Sequence, residues 1–190
     1  MSALDFIKDR RSCRNFLPTA VEEEKINTIL QAGLYAPSPA NKQPWDFIVV
    51  TNADVKSKFK AEIDTTIKKL AEKSDWKWLN SYKVDFLEQA PVFIVAVGDP
   101  SKNGAEQFLD EAYEGYVEAT SAAVQNMLLA AHVEGLGSLW FSLFEKKTAK
   151  EAFAIEEGKE PIAVICLGYP ASPSTMPKRK ELGDKVRYII

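Results

Sequence analysis

The stretch Tyr113–Ala131 constrains the fold most. It is apolar on most sides of a helix and crowded with small residues: Gly115, Ala119, Ala122, Ala123, Ala130 and Ala131, with Ala112 just before them. A helix on the surface of a globular protein shows one apolar stripe. This one is therefore either the core of the domain or packed against a second copy of the chain. It lies inside a longer helical pattern, Ala105–Glu134, that Gly135 ends. Around it the sequence supplies four short strand patterns, at 47–50, 92–97, 137–143 and 162–167. Phe47–Val50 and Val92–Val97 are continuous apolar runs, the pattern of strands covered on both faces. Val186–Ile190 offers a fifth strand at the C-terminus.

Helical patterns alternate with these strands. Ser2–Asp5 and Thr19–Glu22 have the form of capping boxes. The first opens a helix reaching Lys8–Arg10. The second opens one carrying Val21, Ile26, Ile29 and Leu30, with Gly33 as its stop. Val55–Lys73 and Thr148–Phe153 complete the set, and Ala36–Pro44, with three prolines, is a loop. The order implies helices around one mixed sheet, α+β or α/β, in one domain spanning residues 1–190. At this length one good core is available.

Composition excludes several classes. With 46% apolar and 27% charged residues the chain is neither disordered nor a disulfide scaffold. Its longest apolar runs, Pro91–Gly98 and Pro161–Tyr169, are far shorter than the ~20 residues of a membrane span. Asp5, Lys8, Asp9, Arg10 and Arg11 break up the apolar segment a signal peptide needs, so a cytoplasmic location is expected.

The net charge of -3 hides an uneven distribution. Residues 1–14 and 178–190 together carry nine of the 24 basic side chains and four acids. All five arginines lie there; every basic residue between them is lysine. The planar guanidinium grips phosphate bidentately. The two ends are either solvated termini or two halves of one anion site. Nucleic acid is not an expected partner, because an acidic chain with two short basic patches lacks a broad basic face.

Side-chain chemistry is scarce. Cys13, Cys166 and His132 show no metal-ligand spacing. Cys166 lies in an apolar run and reads as a small hydrophobe. Cys13 sits among arginines, either activated by them or inert in a binding turn. His132 falls within the long helix, and no G-x-S-x-G accompanies it. An enzyme so equipped relies on a cofactor for its chemistry.

Four motifs remain: Arg10-Arg11-Ser12-Cys13-Arg14-Asn15-Phe16; the Pro37-Ser38-Pro39-Ala40-Asn41-Lys42-Gln43-Pro44-Trp45 loop; Gly135-Leu136-Gly137-Ser138 after the long helix; and Gly168-Tyr169-Pro170 followed by Lys178-Arg179-Lys180. Together, in this order and spacing, they resemble the nitroreductase family of FMN-dependent oxidoreductases over nearly the whole chain.

The resemblance implies an α+β, nitroreductase-like fold with a central mixed sheet flanked by helices, in an intertwined homodimer. It implies FMN between subunits, with Arg10, Ser12 and Arg14 at its phosphate and ribityl chain and Arg10 also near its pyrimidine end; Arg11 follows the motif, with a binding or a structural side chain. Pro37, Ser38 and Asn41 would come from the other subunit, and Leu136 and Gly137 would offer backbone N–H groups. Lys178 and Arg179 would close on the phosphate, with Lys180 adjacent. The implied reaction is ping-pong hydride transfer from NADH or NADPH to nitroaromatics, quinones or similar small-molecule acceptors, with no catalytic side chain. Alternatives are a specialised reaction (flavin fragmentation, dehalogenation or azoline dehydrogenation), a flavin store or sensor, and a domain binding another phosphate. Trp76–Phe86 and Phe108 are candidate substrate walls.

Overall fold

A computed structural model of the chain describes residues 3–108 and 113–190. The Ser2 cap and Ala112 lie outside the described residues. The architecture is α+β. Helices α1 (Ala3–Asp9) and α2 (Glu23–Leu34) precede strand β1 (Trp45–Val50). Helices α3 (Ala53–Lys73) and α4 (Phe86–Gln89) lead into β2 (Val92–Gly98). Helix α5 (Gly115–Val133), β3 (Gly137–Phe141), α6 (Lys146–Ala152) and β4 (Glu160–Gly168) follow.

The strands form one sheet in the order β1-β2-β4-β3. Every neighbouring pair is antiparallel. The parallel component of the expected mixed sheet reduces to one bridge, Ser12 to Ser138, which lays the arginine segment along the outer edge of β3. A central strand is hydrogen-bonded on both sides and covered on both faces, and β2 is buried at every position. Alternate residues of the sheet feed two apolar layers. Phe93, Val95, Leu139, Phe141 and Cys166 pack with Phe59 and Ile63 of α3. Ile94, Ile165 and Leu167 pack with Ile29 of α2 and Met127 of α5.

Several expectations change. β1 is an edge strand with exposed and half-buried positions, not a strand covered on both faces. Val186–Ile190 forms no strand; it belongs to a tail, 171–190, that is exposed throughout. The second capping box is not made: α2 starts at Glu23, and Glu22, the residue before it, gives no side-chain cap. Gly33 is no helix stop but a buried helical residue, where a Cβ would approach Phe47 Cζ to 3.0 Å and Met127 Cγ to 3.1 Å. The helical pattern 105–134 divides into a 3-10 turn at Ala105–Phe108 and α5. Helix α5 buries Tyr116, Ala119, Ala123, Val124, Met127, Leu128 and Ala131 and leaves Val117, Ser121, Ala122 and Leu129 half-buried on its other face. No helix among the described residues is long and apolar enough to cross a membrane.

Candidate functional site

The site begins where the Arg10–Phe16 segment runs beside β3. Cys13 N–H donates to Ser138 O at 2.9 Å, Leu17 N–H to Tyr169 O at 2.8 Å, and Ala171 N–H to Asn15 O at 2.9 Å. Extended backbone alternates its side chains between two faces. Cys13 turns into the apolar layer under α3 and is 3% exposed. Ser12 and Arg14, on either side of Cys13, therefore fall on the opposite face.

The charge of Arg179, from the other end of the chain, is felt at Arg10. The Arg10 guanidinium is held below its usual range, first by partial burial and then by the nearby charges of Arg11 and Arg179. Arg11 Nη1 donates to Arg10 O at 2.9 Å and to Lys8 O, the carbonyl exposed where α1 ends, so its side chain is partly structural. Every ion pair among the described residues is made by a lysine and none by an arginine. Guanidiniums without a carboxylate partner keep their charge-assisted donors available to an external anion.

Next to the Arg10–Phe16 segment, Ser138 Oγ is buried without a hydrogen-bond partner. A buried hydroxyl left unpaired costs stability until something polar reaches it. A hollow of about 440 Å³ borders the segment, lined by Asp9, Arg11, Cys13, His132, Leu136, Gly137 and the 170–174 chain. His132, the single histidine, is thus a wall residue of this hollow.

One sequence assignment is corrected. Leu136 N–H already donates to Ala131 O at 2.8 Å, and Gly135 adopts φ +75°, so both belong to the cap that ends α5. Leu136 offers packing here, not a free amide. Gly137 packs against Cys13: a Cβ there would lie 2.7 Å from Cys13 Sγ. Cys13 itself is not activated. Burial pushes its thiol up, against the opposing Asn15 hydrogen bond and Arg14 charge. Burial pushes Cys166 up as well. Phe86 is core, edge-on to Phe141, whereas Trp76, Trp78 and Tyr82 form an aromatic ladder at the surface. Phe108 is 82% exposed.

The Pro37–Pro44 loop is elsewhere. It enters β1 at Trp45, which is level with Gly98 and Glu160, while Gly137 is level with Gly168 at the far end of β4. Eight residue steps along the sheet and three strand spacings across it place Trp45 and Gly137 roughly 30 Å apart. Pro37, Ser38 and Asn41 do not meet the arginines within one chain. The loop is held under strain. Ala40, Asn41 and Gln43 have φ of 47°, 53° and 46°, and Ser38 Oγ accepts from Gln43 N–H at 3.0 Å. Lys178, Arg179 and Lys180 lie in the exposed tail, and of these it is the charge of Arg179 that is felt at Arg10.

The nitroreductase family profile matches residues 7–169, from the end of α1 to the end of β4. The chain belongs to the nitroreductase family. It is 34% identical over 180 residues to a Methanothermobacter thermautotrophicus protein provisionally named NADH dehydrogenase/NAD(P)H nitroreductase, covering 92% of this chain and 81% of that one. It is 29% identical to the iodotyrosine deiodinase of Haliscomenobacter hydrossis, covering 90% and 81%. Among solved structures it superposes on an FMN-dependent nitroreductase of Clostridium difficile R20291 with a TM-score of 0.76, at 26% identity and covering 97% and 98%. Family membership supports an oxidoreductase.

Proposed function

We propose that the protein is an FMN-dependent oxidoreductase that draws electrons from NADH or NADPH and delivers them to nitroaromatics, quinones or related small acceptors. The observation that supports this reading is that Arg10 feels the charge of Arg179, from the opposite end of the chain, while no arginine forms an ion pair among the described residues. A phosphate monoester is the anion such guanidiniums fit. Arg10, Arg179 and Lys178 would hold the phosphate, Ser12 and Arg14 the adjoining polar chain, and the orphan Ser138 hydroxyl supplies one more polar atom beside them. Bound FMN supplies hydride acceptance and donation, which no side chain here provides. The protein's share is to orient the group and exclude water. Cys13, raised and buried, takes no part.

The site is completed by a second copy. Pro37, Ser38 and Asn41 are too far away in the same chain, so a homodimer presents them from the partner. The half-buried face of α5, with Val133 69% exposed at its end, is the surface for that contact. The exposed apolar end of the tail, where Tyr188, Ile189 and Ile190 are free of the fold, and the open edge of β1 fit the same assembly.

The test is direct. The purified protein should be yellow, bleach with NADH or NADPH in the absence of air, and recolour on addition of a quinone or nitrofuran. Colourless protein that gains no flavin when supplied with FMN rejects the reading. Adding iodotyrosine to the acceptor panel tests the dehalogenase alternative, and a gel-filtration mass of one subunit at micromolar protein rejects the shared site.

A further inference from the structure

The cluster Glu22, Lys25 and Tyr169 lies outside the residues assigned above. Lys25 stands in the first turn of α2, among Glu23 and Glu24. A cation there opposes the helix dipole. Its position is explained by where it reaches: Lys25 Nζ donates to Glu134 O at 2.8 Å, at the C-terminus of α5, where a cation is favoured. The ammonium also sits 5.2 Å from the centre of the Tyr169 ring. Tyr169 O–H donates to Glu22 at 2.7 Å, and Tyr169 O accepts from Leu17 N–H at 2.8 Å. One tyrosine thus binds α2 through its hydroxyl, Lys25 through its ring and the arginine segment through its carbonyl.

We infer that Lys25 is a positioning residue: clasped between the Tyr169 ring and the Glu134 carbonyl, it fixes the Gly135–Gly137 turn relative to the Arg10–Phe16 segment. Both walls of the candidate site are thereby set by one side chain that does not enter it. The link to cofactor binding rests on the proposed function; the link to the turn does not.

The experiment compares Lys25→Met, Lys25→Arg and Tyr169→Phe. In the apoprotein, hydrogen exchange at the Gly135 and Leu136 amides should quicken in Lys25→Met and stay as in wild type in Lys25→Arg, which keeps a donor for Glu134 O. Tyr169→Phe retains the ring and the carbonyl and should fall between. With FMN, the dissociation constant of Lys25→Met should rise about three- to tenfold, the worth of one ordinary hydrogen bond. At saturating FMN its flavin reduction potential should shift, while that of Lys25→Arg should not. Unchanged exchange at the turn, or exchange quickened evenly through the protein, overturns the inference. Quickening confined to the turn with an unchanged potential also overturns it, since Lys25 would then be a helix cap only. Wild-type protein that binds no FMN rejects the proposed function, and the exchange arm still decides the role of Lys25 at the turn.

Discussion

Replacing Arg179 with alanine separates an anion site from a decorative basic patch, because its two effects have opposite signs. Arg10 is held below its usual range partly by the charge of Arg179. In the apoprotein the pair is therefore repulsive, and removing one member should stabilise the fold. Arg179 lies in an exposed segment, so screening limits the gain to a few tenths of a kcal/mol, the lower part of the range for surface charge pairs. That gain should vanish near 1 M salt, where the screening length falls to about 3 Å. With FMN the sign reverses. Losing one charge-assisted hydrogen bond costs about 1.5–3 kcal/mol, and exposure favours the lower end, so the dissociation constant should rise about tenfold. Denaturant unfolding of the apoprotein at low and high salt reads the first effect, and quenching of FMN fluorescence reads the second. An apo variant less stable than wild type at low salt, or an unchanged FMN affinity, refutes the reasoning.

Other expectations follow from single contacts. Gly137→Ala forces a Cβ to 2.7 Å from Cys13 Sγ and should cost about 1–3 kcal/mol by overpacking; adding Cys13→Ala should recover part of it, measured as a double-mutant cycle. Ala40→Gly relieves a left-handed residue worth about 1–2 kcal/mol, against a smaller cost from the freer unfolded chain, so it should be neutral or stabilising in urea unfolding. The same change at Ala123, buried in α5, should cost about 1 kcal/mol or more. Glu160 is held below its ordinary value of 4.5, first by the hydrogen bond from Lys150 and then by Lys146. A depressed carboxyl contributes stability above its unfolded value and loses it as pH falls through the folded one. The gap in melting temperature between wild type and Glu160→Gln should therefore be level from pH 8 to 6 and close below about pH 4.5; a gap that widens in acid contradicts the pairing.

Much of the fold is legible in the sequence because burial on both faces leaves a plain pattern. β2 and β4 appear as unbroken apolar runs, and the small residues of α5 mark a helix packed closely. What failed were signals that look local but are settled by packing. Gly33 has the position of a helix stop, yet Phe47 and Met127 claim the space of its missing side chain. The Val186–Ile190 pattern carries strand propensity, yet it pairs with none of the four strands. At the site, clustered arginines were readable because their chemistry is distinctive. Ser138 and Lys25 were not, since an orphaned hydroxyl and a lysine reaching a distant carbonyl leave no mark in local sequence.

The topology ties two proposals into one. Within a chain the arginine cluster and the strained Ser38–Gln43 loop occupy opposite corners of the sheet, roughly 30 Å apart. Loops that hold three non-glycine residues at positive φ cost stability and persist where their shape is used. A monomer binding FMN at the arginines alone would leave that cost unexplained. A dimer without a ligand at the arginines would leave their charge uncompensated. The proposed juxtaposition of one chain's arginines with the other chain's loop accounts for both. Dilution into monomers should therefore release FMN, and protein that keeps the cofactor as a monomer would separate the loop from the site.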